Sequence, residues 1–589
     1  MMEQSEGSVV LAFCAALSVA LGAAVIGSPR AAEDPPEHLE ASPGAGRVQL
    51  AQGARYAVAA AAPEASDAGL RVLEDGGNAA DALVTTSFVM AVVRPQSTGI
   101  GGGGFVIYHD AAKNAQLALD GRERAPADAS EKMFLDSRGN PTHDNLDGPR
   151  AAGVPGLVAM LADLHARQGS LPWARLVQPA IDLAEGGFPV SPSLARAVAS
   201  NQDVLALYPA SRGLFLPEGR PLQAGDTFKQ PELALTLRAI AREGAAGFYA
   251  GAVADALSRR VRAAGGHITM ADLASYKTVE REPVRGAYRG REVVSMPPPS
   301  SGGVALIEML NLLGTWEGGL ADLGWHRAAH LHVLAEVMKR AYADRAEHLG
   351  DPDFVTVPVK TLIGAARAKE LRAGISMERA TPAAELHAGR PAGPERGHTT
   401  HISVVDAQGN VASSTQTVNT SLGSKFVAGG TGVLLNNEMG DFAAKPGVPN
   451  NYGLVESANN AIAPQKRPLS SMTPTIVLQG GRPVLVVGSP GGPRIISSVL
   501  QVVSNVLDFD MALDRAVAAP RVHHQWRPDR LEVEPGINST VVEALGGRGH
   551  VVRVLAGREL GEVQAIQVRP NGTRVAVSDP RGEGRPAAR

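Results

Sequence analysis

The sequence predicts an α/β protein whose helices and strands are arranged in layers, and three parts of the chain support this. Residues 55–92 and several stretches of 155–380 space their apolar residues as helices do. Between residues 402 and 487, short runs rich in β-branched residues are bounded by turn residues, which predicts strands. Helical spacing returns at 495–507. Helices, then strands, then helices are compatible with a layered sandwich, but these patterns do not fix its layers.

The first elements are two helices and a strand. Residues 64–77 read as a helix that ends at a glycine pair, and residues 79–93 as a second, largely buried helix closed by Arg-Pro. The glycines at 101–104 precede an apolar run at 105–108, which predicts a buried strand. These glycines do not form a phosphate-binding loop, because they open no helix and no Lys-Ser/Thr follows them.

The middle of the chain is predicted to be helical and the following part to be rich in strands. Amphipathic helices are expected at 233–242 and 328–345, among others. Strands are predicted at 402–406, 411–418, 432–436, 474–478 and 483–487.

The amino-terminal region predicts export. Residues 9–27 form an uncharged apolar run followed by small residues, which indicates a signal peptide over 1–32 and a periplasmic or secreted protein. A retained membrane anchor is the alternative, because the run is just long enough to span a bilayer and no Lys or Arg precedes it. Residues 33–54 predict a flexible leader, and residues 376–398, with three prolines and few large hydrophobic residues, a mobile tail.

Composition excludes several functional classes. The chain has 56 basic and 59 acidic residues, a formal charge of −3, and no basic stripe that would indicate nucleic-acid binding. Its one cysteine, Cys14, lies in the apolar run, so the mature chain should have neither disulfides nor thiolate metal sites. The histidines at 330, 332 and 523–524 lack a carboxylate framework, so neither a metal nor another cofactor is predicted.

The hydroxyl-rich segment GHTTHISVVDAQGNVASSTQTVN at 397–419 directly follows the predicted tail. A threonine hydroxyl is a poor nucleophile at neutral pH, but a terminal threonine carries its own general base, an α-amine with a pKa near ~8. Thr399 can fill both roles only if the chain is cut between His398 and Thr399, most directly by attack of its hydroxyl on the His398 carbonyl. Alone, the segment also fits a polar turn and an ordinary edge strand, with Ile402 and Val404 alternating.

Other motifs decide between these interpretations. In chain order they are GGNAADA (76–82), RPQSTGIGGGGF (94–105), LDGRERAP (119–126), MPPPSSGG (296–303), YADRAEHLGDPDF (342–354), GHTTHISVVD (397–406), LLNNEMGDF (434–442), KPGVPNNYGL (445–454), KRPLSSMTPTIV (466–477), GSPGGPRI (488–495) and APRVHHQW (519–526). This series resembles the γ-glutamyltranspeptidases, which are N-terminal-nucleophile hydrolases, from about residue 55 to the end. The resemblance implies a four-layer αββα sandwich built from two subunits of one precursor, a large subunit (55–398) and a small catalytic subunit (399–589), which form a heterodimer.

The resemblance also implies the site residues. Thr399 would be the nucleophile, Thr417 would hydrogen-bond it, and the amides of Gly491 and Gly492 would form the oxyanion hole. A γ-glutamyl donor presents a free α-carboxylate and a free α-amine, so its pocket needs a cationic fork and an acidic cluster. The implied carboxylate ligands are Arg122, Ser470 and Ser471, the implied amine ligands are Asn419, Glu438 and Asp441, and Tyr452 would gate a lid at 445–454. Glu438 stands where some relatives have Gln, and Gly440 where some have an acidic residue.

The leading functional hypothesis is an exported, self-cleaving γ-glutamyltransferase and hydrolase. Its small-molecule substrates would be glutathione and related γ-glutamyl compounds, with water, amino acids or peptides as acceptors. The alternative on the same fold is a cephalosporin (glutaryl) acylase, but Asp441 and the 445–454 segment favour a donor that carries an amine. A more distant rival is an exported binding protein that keeps the fold and remains uncut.

Overall fold

The computed structural model describes residues 48–386 and 399–589. The strands in these residues are, in chain order, β1 Gln49–Gly53, β2 Ala57–Ala60, β3 Gly103–Asp110, β4 Ala115–Gly121, β5 Phe188–Pro189, β6 Thr227–Phe228, β7 Val279–Arg281, β8 Val284–Tyr288, β9 Arg291–Ser295, β10 Thr399–Val405, β11 Val411–Thr417, β12 Val427–Ala428, β13 Val433–Leu434, β14 Thr475–Gln479, β15 Arg482–Gly488, β16 Val522–His523, β17 Leu531–Val533, β18 Val552–Val554, β19 Gln564–Val568, β20 Arg574–Ser578 and β21 Ala587–Ala588. The α-helices are α1 Pro63–Glu74, α2 Ala79–Val93, α3 Leu157–Gln168, α4 Trp173–Gly186, α5 Pro192–Ser200, α6 Gln202–Leu205, α7 Pro209–Phe215, α8 Pro231–Glu243, α9 Ala246–Tyr249, α10 Gly251–Ala263, α11 Met270–Ala274, α12 Gly302–Leu313, α13 Ala328–His348, α14 Val359–Leu362, α15 Ala365–Ala373, α16 Arg494–Leu507, α17 Leu513–Ala518 and α18 Ser539–Gly547.

Two seven-stranded antiparallel sheets form the centre of the fold. The first has the order β1-β20-β19-β15-β14-β9-β8 and the second the order β21-β2-β10-β11-β3-β4-β7. Strand β10, which begins at Thr399, lies between β2 and β11 in the middle of its sheet. It is therefore a central strand, not the edge strand that the segment alone would also fit.

Helices cover the outer faces of the two sheets. Val405 of β10 and Val486 of β15 belong to one buried apolar cluster between the sheets. On its other face, β10 packs Ile402 into a cluster that contains α1 to α4. Val487 of β15 lies with α12, α13, α16 and α17 in a third cluster. The protein is therefore a four-layer αββα sandwich, which confirms the predicted fold class.

Local signals explain why some predicted elements have the expected bounds. Helix α2 begins and ends where the sequence predicted, at 79 and 93, and all of its residues are buried. Its start is fixed by a capping box, in which the Asn78 side chain accepts hydrogen bonds from the amides of Ala80 and Asp81. Strands β3, β11, β14 and β15 each contain or overlap a predicted run.

The alternation of side chains along β10 decides where Thr399 points. Residues 399, 401, 403 and 405 lie on one face of the strand, and Val405 on that face is packed between the two sheets. His401, two residues after Thr399, faces Gly488 of β15 so closely that a Cβ at Gly488 would lie 2.2 Å from the imidazole Cε1. The Thr399 side chain consequently enters the space between the sheets at their end.

Parts of the predicted leader and tail are ordered. Residues 49–53 form β1, which pairs with β20, because backbone pairing across the sheet can hold a segment that has little apolar character. In the tail, the amide of Ala380 donates to Arg548 O at 2.6 Å, and Trp526 Nε1 donates to Ala383 O at 3.0 Å. Leader residues 33–47, the proposed signal peptide and residues 387–398 lie outside the described residues. Within 48–386 and 399–589, no helix is both long and apolar enough to cross a membrane.

Candidate active site

Thr399 is the first residue of β10 and is 8% exposed. Antiparallel pairing places it directly opposite Thr417 of β11, on the same face of the sheet. The two hydroxyl oxygens lie 3.2 Å apart, and the amide of Asn419 donates to Thr417 Oγ1 at 2.7 Å. The structure thus brings together the predicted nucleophile and its predicted partner, while His398 lies outside the described residues.

The loop at 489–493, between β15 and α16, carries the candidate oxyanion donors. Gly491 and Gly492 have φ angles of +130° and +57°, which favour glycine. Neither of their amides donates a hydrogen bond to another described residue. A Cβ on Gly492 would lie 3.0 Å from the ring of Tyr452, so this loop and the predicted lid are in close contact.

Two cavities meet at Thr399. One is narrow, with a volume of about 30 Å³, and its lining includes every donor-binding residue predicted from the sequence. The other is wide, with a volume of about 410 Å³, and contains several arginines. Among the described residues, Thr399 is the one that lines both cavities.

Arg122 is buried at the centre of the narrow cavity's polar wall. Its Nη2 lies 2.5 Å from Asp441 Oδ2, and its Nη1 donates to Glu438 Oε1. Nε donates to Pro468 O at 3.1 Å, and Nη2 also donates to Leu469 O at 3.3 Å. Arg122, predicted to bind the donor's carboxylate, is therefore ion-paired in this structure with Glu438 and Asp441, which are predicted to bind its amine.

The cluster around Arg122 contains an excess of carboxylates. Glu123, which is fully buried, lies 3.6 Å from Arg122 Nη1, so three carboxylates surround one guanidinium. Burial raises the pKa of Glu123 to about 7 and raises the pKa of Glu438 well above its ordinary value, although Arg122 opposes both shifts. Glu438 Oε2, Asp441 Oδ1 and both Glu123 oxygens have no hydrogen-bond partner among the described residues. The cluster can therefore accept one more positive charge.

The remaining predicted ligands lie at the same cavity. Ser470 and Ser471 both line it, and Ser470 Oγ accepts a hydrogen bond from the amide of Met472 at 3.1 Å. Tyr452 donates its hydroxyl hydrogen to Asn419 Oδ1, and its backbone oxygen accepts from Gln525 Nε2 at 3.0 Å. The predicted gating aromatic thus lines the cavity and is bonded to a predicted amine ligand.

Sequence reasoning did not identify Glu123 or the arginines of the wide cavity. Glu123 follows Arg122 directly, and adjacent residues in an extended segment normally face opposite sides, so nothing local placed both in one cluster. The arginines come from distant parts of the chain and become neighbours only in the folded protein. For Glu123, the available signal was its membership of the LDGRERAP motif.

The histidines singled out in the sequence are engaged in hydrogen bonds. His523 Nδ1 lies 2.8 Å from Ser497 Oγ, and His332 Nδ1 lies 2.8 Å from His550 Nε2. Burial lowers the pKa of His523 to about 3. In the part of the chain that the structure describes, no group of three or more His, Cys, Asp or Glu residues is arranged to hold a metal ion.

An αββα sandwich with a threonine at the head of a central strand, facing the space between the sheets, defines the class of N-terminal-nucleophile hydrolases. Within that class, the chain belongs to the γ-glutamyltranspeptidase family, whose model matches residues 65–589. This finding confirms the resemblance identified in the sequence.

The chain is similar to relatives with two different activities. It is 44% identical over 526 residues to the glutathione hydrolase proenzyme of Escherichia coli (strain K12), covering 89% of this chain and 90% of that protein. It is 40% identical over 546 residues to the acylase ACY 1 proenzyme of Pseudomonas sp. (strain SE83), covering 91% and 94%. Among solved structures, the cephalosporin acylase from Bacillus halodurans has a TM-score of 0.81 at 28% identity and covers 95% of this chain and 99% of that one. The γ-glutamyltranspeptidase of Helicobacter pylori has a TM-score of 0.54 at 43% identity, covering 56% and 93%.

Proposed function

We propose that this chain is a precursor that cuts itself between His398 and Thr399 and then transfers γ-glutamyl groups from glutathione and related donors to water, amino acids or peptides. The large subunit (55–398) and the small subunit (399–589) remain together as a heterodimer. Relatives with 38–44% identity over most of the chain are glutathione hydrolase proenzymes, which supports this function. The observation that carries the proposal is the position of Thr399, opposite Thr417 and between two cavities.

Self-cleavage uses the Thr399 hydroxyl before its amine is free. Oγ1 attacks the carbonyl carbon of His398, the C–N bond to Thr399 breaks as a C–O bond forms, and the nitrogen takes up a proton to become an amine. Water then hydrolyses the ester, which releases a carboxyl group on His398 and restores the Thr399 hydroxyl. Thr417 Oγ1, 3.2 Å from Thr399 Oγ1, orients the attacking oxygen.

Turnover repeats this chemistry on the substrate. The free α-amine of Thr399 accepts the hydroxyl proton while Oγ1 attacks the γ-carbonyl of the donor. The resulting oxyanion is stabilised by the amides of Gly491 and Gly492, whose hydrogens are not donated to other described residues. The proton then passes to the leaving amine as the C–N bond breaks, which leaves a γ-glutamyl ester on Thr399.

Donor recognition exchanges internal ion pairs for intermolecular ones. The donor's α-carboxylate binds Arg122 with help from Ser470 and Ser471, and its α-ammonium binds Asn419, Glu438 and Asp441. In this structure Arg122 pairs with Glu438 and Asp441, so a zwitterionic donor can insert its two charges between them without leaving any buried charge unpaired. A cavity of about 30 Å³ must widen for this, and release of the Tyr452 hydroxyl from Asn419 opens it.

The acylase alternative rests on the 40% identity to acylase ACY 1 and the fold match to cephalosporin acylase. A glutaryl donor differs from a γ-glutamyl donor only in lacking the α-amine. Such a donor would occupy Arg122 and leave Glu438 and Asp441 buried without a cation, which is costly. The acidic cluster therefore favours the γ-glutamyl donor.

The proposed location of the enzyme follows from the amino-terminal segment. Residues 9–27 are an uncharged apolar run of the kind that export signals contain. Within this proposal, residues 1–32 are removed on export and the enzyme acts in the periplasm or outside the cell.

The decisive experiment compares neighbouring threonines. The wild-type protein should give two bands on a denaturing gel, with a small fragment whose amino-terminal residue is Thr399, and it should release the amine from a γ-glutamyl anilide. Thr399→Ala should stay uncut and inactive. Thr400→Ala is the matched control, since Thr400 faces the helices and its hydroxyl has no partner among the described residues. A small fragment that starts elsewhere, or an active Thr399→Ala protein, would refute the proposal.

A further inference from the structure

Glu456 lies two residues beyond the predicted lid (445–454) and is ion-paired with Arg345 of α13, and the mechanism above uses neither residue. We propose that Arg345 and Glu456 are positioning residues: their buried ion pair holds the base of the lid on α13 and so limits the entry of water to the acyl-enzyme. This inference rests on the proposed function, because it concerns how the γ-glutamyl-enzyme divides between water and an acceptor amine.

Glu456 closes the base of the lid. Its backbone oxygen accepts a hydrogen bond from the amide of Gly447 at 2.9 Å, so the two ends of the lid meet at this residue. Inside the loop, Asn450 Oδ1 accepts hydrogen bonds from the amides of Tyr452 at 3.0 Å and Leu454 at 3.1 Å. These bonds hold the loop in one shape, so the position of its base sets where the Tyr452 ring lies.

The base is attached to α13 by a pair of side chains and by the backbone. Arg345 Nη1 donates to Glu456 Oε1 at 2.8 Å. The amide of Ser457 donates to Ala346 O at 3.0 Å. The side chains of Arg345 and Glu456 are each 2% exposed, and among the described residues each is the other's one ion-pair partner. Loss of either charge therefore leaves the other buried and unpaired.

The charges of the pair point to a positioning role. Arg345 and Glu456 both line the narrow cavity. Burial raises the pKa of Glu456, and the charge of Arg345 opposes this shift. Because one side chain is cationic and the other anionic, the ionised pair adds no net charge to the acidic cluster around Arg122. Its contribution to the donor site consequently lies in where it holds other groups.

Two short chains of hydrogen bonds connect the pair to the donor-binding residues. Asn460 Nδ2 donates to the carboxylate of the pair and also to Asp441 O at 2.7 Å. Arg345 Nε donates to Ser301 Oγ at 2.9 Å, and Ser301 Oγ donates to Ser470 O at 2.6 Å. The lid base therefore shares its anchors with one residue predicted to bind the donor's amine and one predicted to bind its carboxylate.

The lid lies where it can decide the fate of the acyl-enzyme. The Tyr452 hydroxyl donates to Asn419 Oδ1, and a Cβ on Gly492 would lie 3.0 Å from the Tyr452 ring. The ring thus packs against the candidate oxyanion loop, which would hold the ester carbonyl. A lid whose base is released opens more often and admits water to this ester, which raises hydrolysis relative to transfer.

The test measures how the acyl-enzyme divides. A γ-glutamyl anilide is the donor, diglycine is the acceptor at one fixed concentration, and the ratio of transfer product to free glutamate is measured. Glu456→Gln removes the negative charge and keeps the shape of the side chain. It should lower the ratio about tenfold, the size of effect expected when a charge-assisted hydrogen bond is lost. Because both products come from the same acyl-enzyme, a smaller active fraction cancels from the ratio.

Glu347→Gln is the matched control. It makes the same chemical change on the same helix, but the Glu347 side chain is exposed, so the ratio should stay at the wild-type value. The double variant Arg345→Met with Glu456→Met removes the attachment without leaving a buried charge. It should show the same fall in the ratio as Glu456→Gln.

A second measurement asks whether the pair acts through the lid. Tyr452→Ala removes the gating ring, so its ratio of transfer to hydrolysis should already be low. Adding Glu456→Gln to Tyr452→Ala should then change the ratio less than about twofold, because two changes that act through one element are not additive.

The outcomes separate this inference from the proposed function. Wild-type enzyme that stays uncut and releases no amine from the anilide would refute the proposed function itself. Normal release without any transfer product, an unchanged ratio in Glu456→Gln, or an equal fall with and without the Tyr452 ring would refute only the role of the ion pair. Failure of both Glu456→Gln and the double methionine variant to fold would also refute it, because the pair would then serve folding alone.

Discussion

The substitution Asp441→Asn tests how the donor's α-ammonium is recognised. One oxygen of Asp441 is bound by Arg122, and the other, Oδ1, is buried with no hydrogen-bond partner among the described residues. A hydrogen bond between charged groups contributes about 1.5–3 kcal/mol net, so its loss should lower kcat/KM for a γ-glutamyl anilide about 10- to 150-fold. The same change weakens the hold on Arg122, which leaves that guanidinium more available to the donor's carboxylate.

The assay compares γ-glutamyl and glutaryl anilides, which have the same leaving group. For Asp441→Asn, kcat/KM should fall for the γ-glutamyl donor and stay equal or rise for the glutaryl donor, which has no ammonium to lose. Self-cleavage of the variant shows that it folds, and Asp203→Asn, at an exposed carboxylate, controls for the change in net charge. An equal fall for both donors would mean that Asp441 acts by supporting the pocket, and the reasoning would be refuted.

Two further predictions concern Glu123, which lies beside Arg122, and Thr417, which lies beside Thr399. Burial raises the pKa of Glu123 in the folded protein from 4.5 to about 7. The neutral side chain therefore makes its full contribution to the stability of the folded protein below pH 4.5, and this contribution is lost as the pH rises towards 7. Glu123→Gln should therefore be more stable than wild type by about 3 kcal/mol above pH 7 and no more stable at pH 4.5. Urea unfolding of both proteins at pH 4.5 and above pH 7 checks this. A difference in unfolding free energy that does not change with pH would contradict it. Thr417→Val removes the hydroxyl 3.2 Å from Thr399 Oγ1 and should lower kcat about tenfold with little change in KM, whereas a change confined to KM would contradict an orienting role.

Much of the fold was predictable because its signals are local. Helix α2 combines continuous apolar character with a capping residue, Asn78, and its bounds follow from both. The pairing of Thr399 with Thr417 was also predictable, since a short turn at 407–410 joins two β-branched runs and fixes their register. By contrast, β1 carries little apolar signal, and only its pairing with β20 makes it a strand.

The candidate site was predictable as a set of residues but not as a set of contacts. The motifs identified Arg122, Glu438 and Asp441, yet gave no indication that they pair with one another in this structure. Ion pairs depend on distances between atoms far apart in the sequence, and Arg122 is 316 residues from Glu438. For the same reason, the burial of Glu123 could not be foreseen.

The sequence by itself indicated the layered fold class and the family, and it predicts Thr399 as the new amino terminus, because these depend on local spacing and on ordered motifs. Only the tertiary structure decided that β10 is a central strand and that Thr399 stands between a narrow acidic cavity and a wide cavity lined by several arginines. The physical reason is that charge balance, burial and cavity shape arise from groups brought together across the two sheets, and no single segment of the chain carries that information.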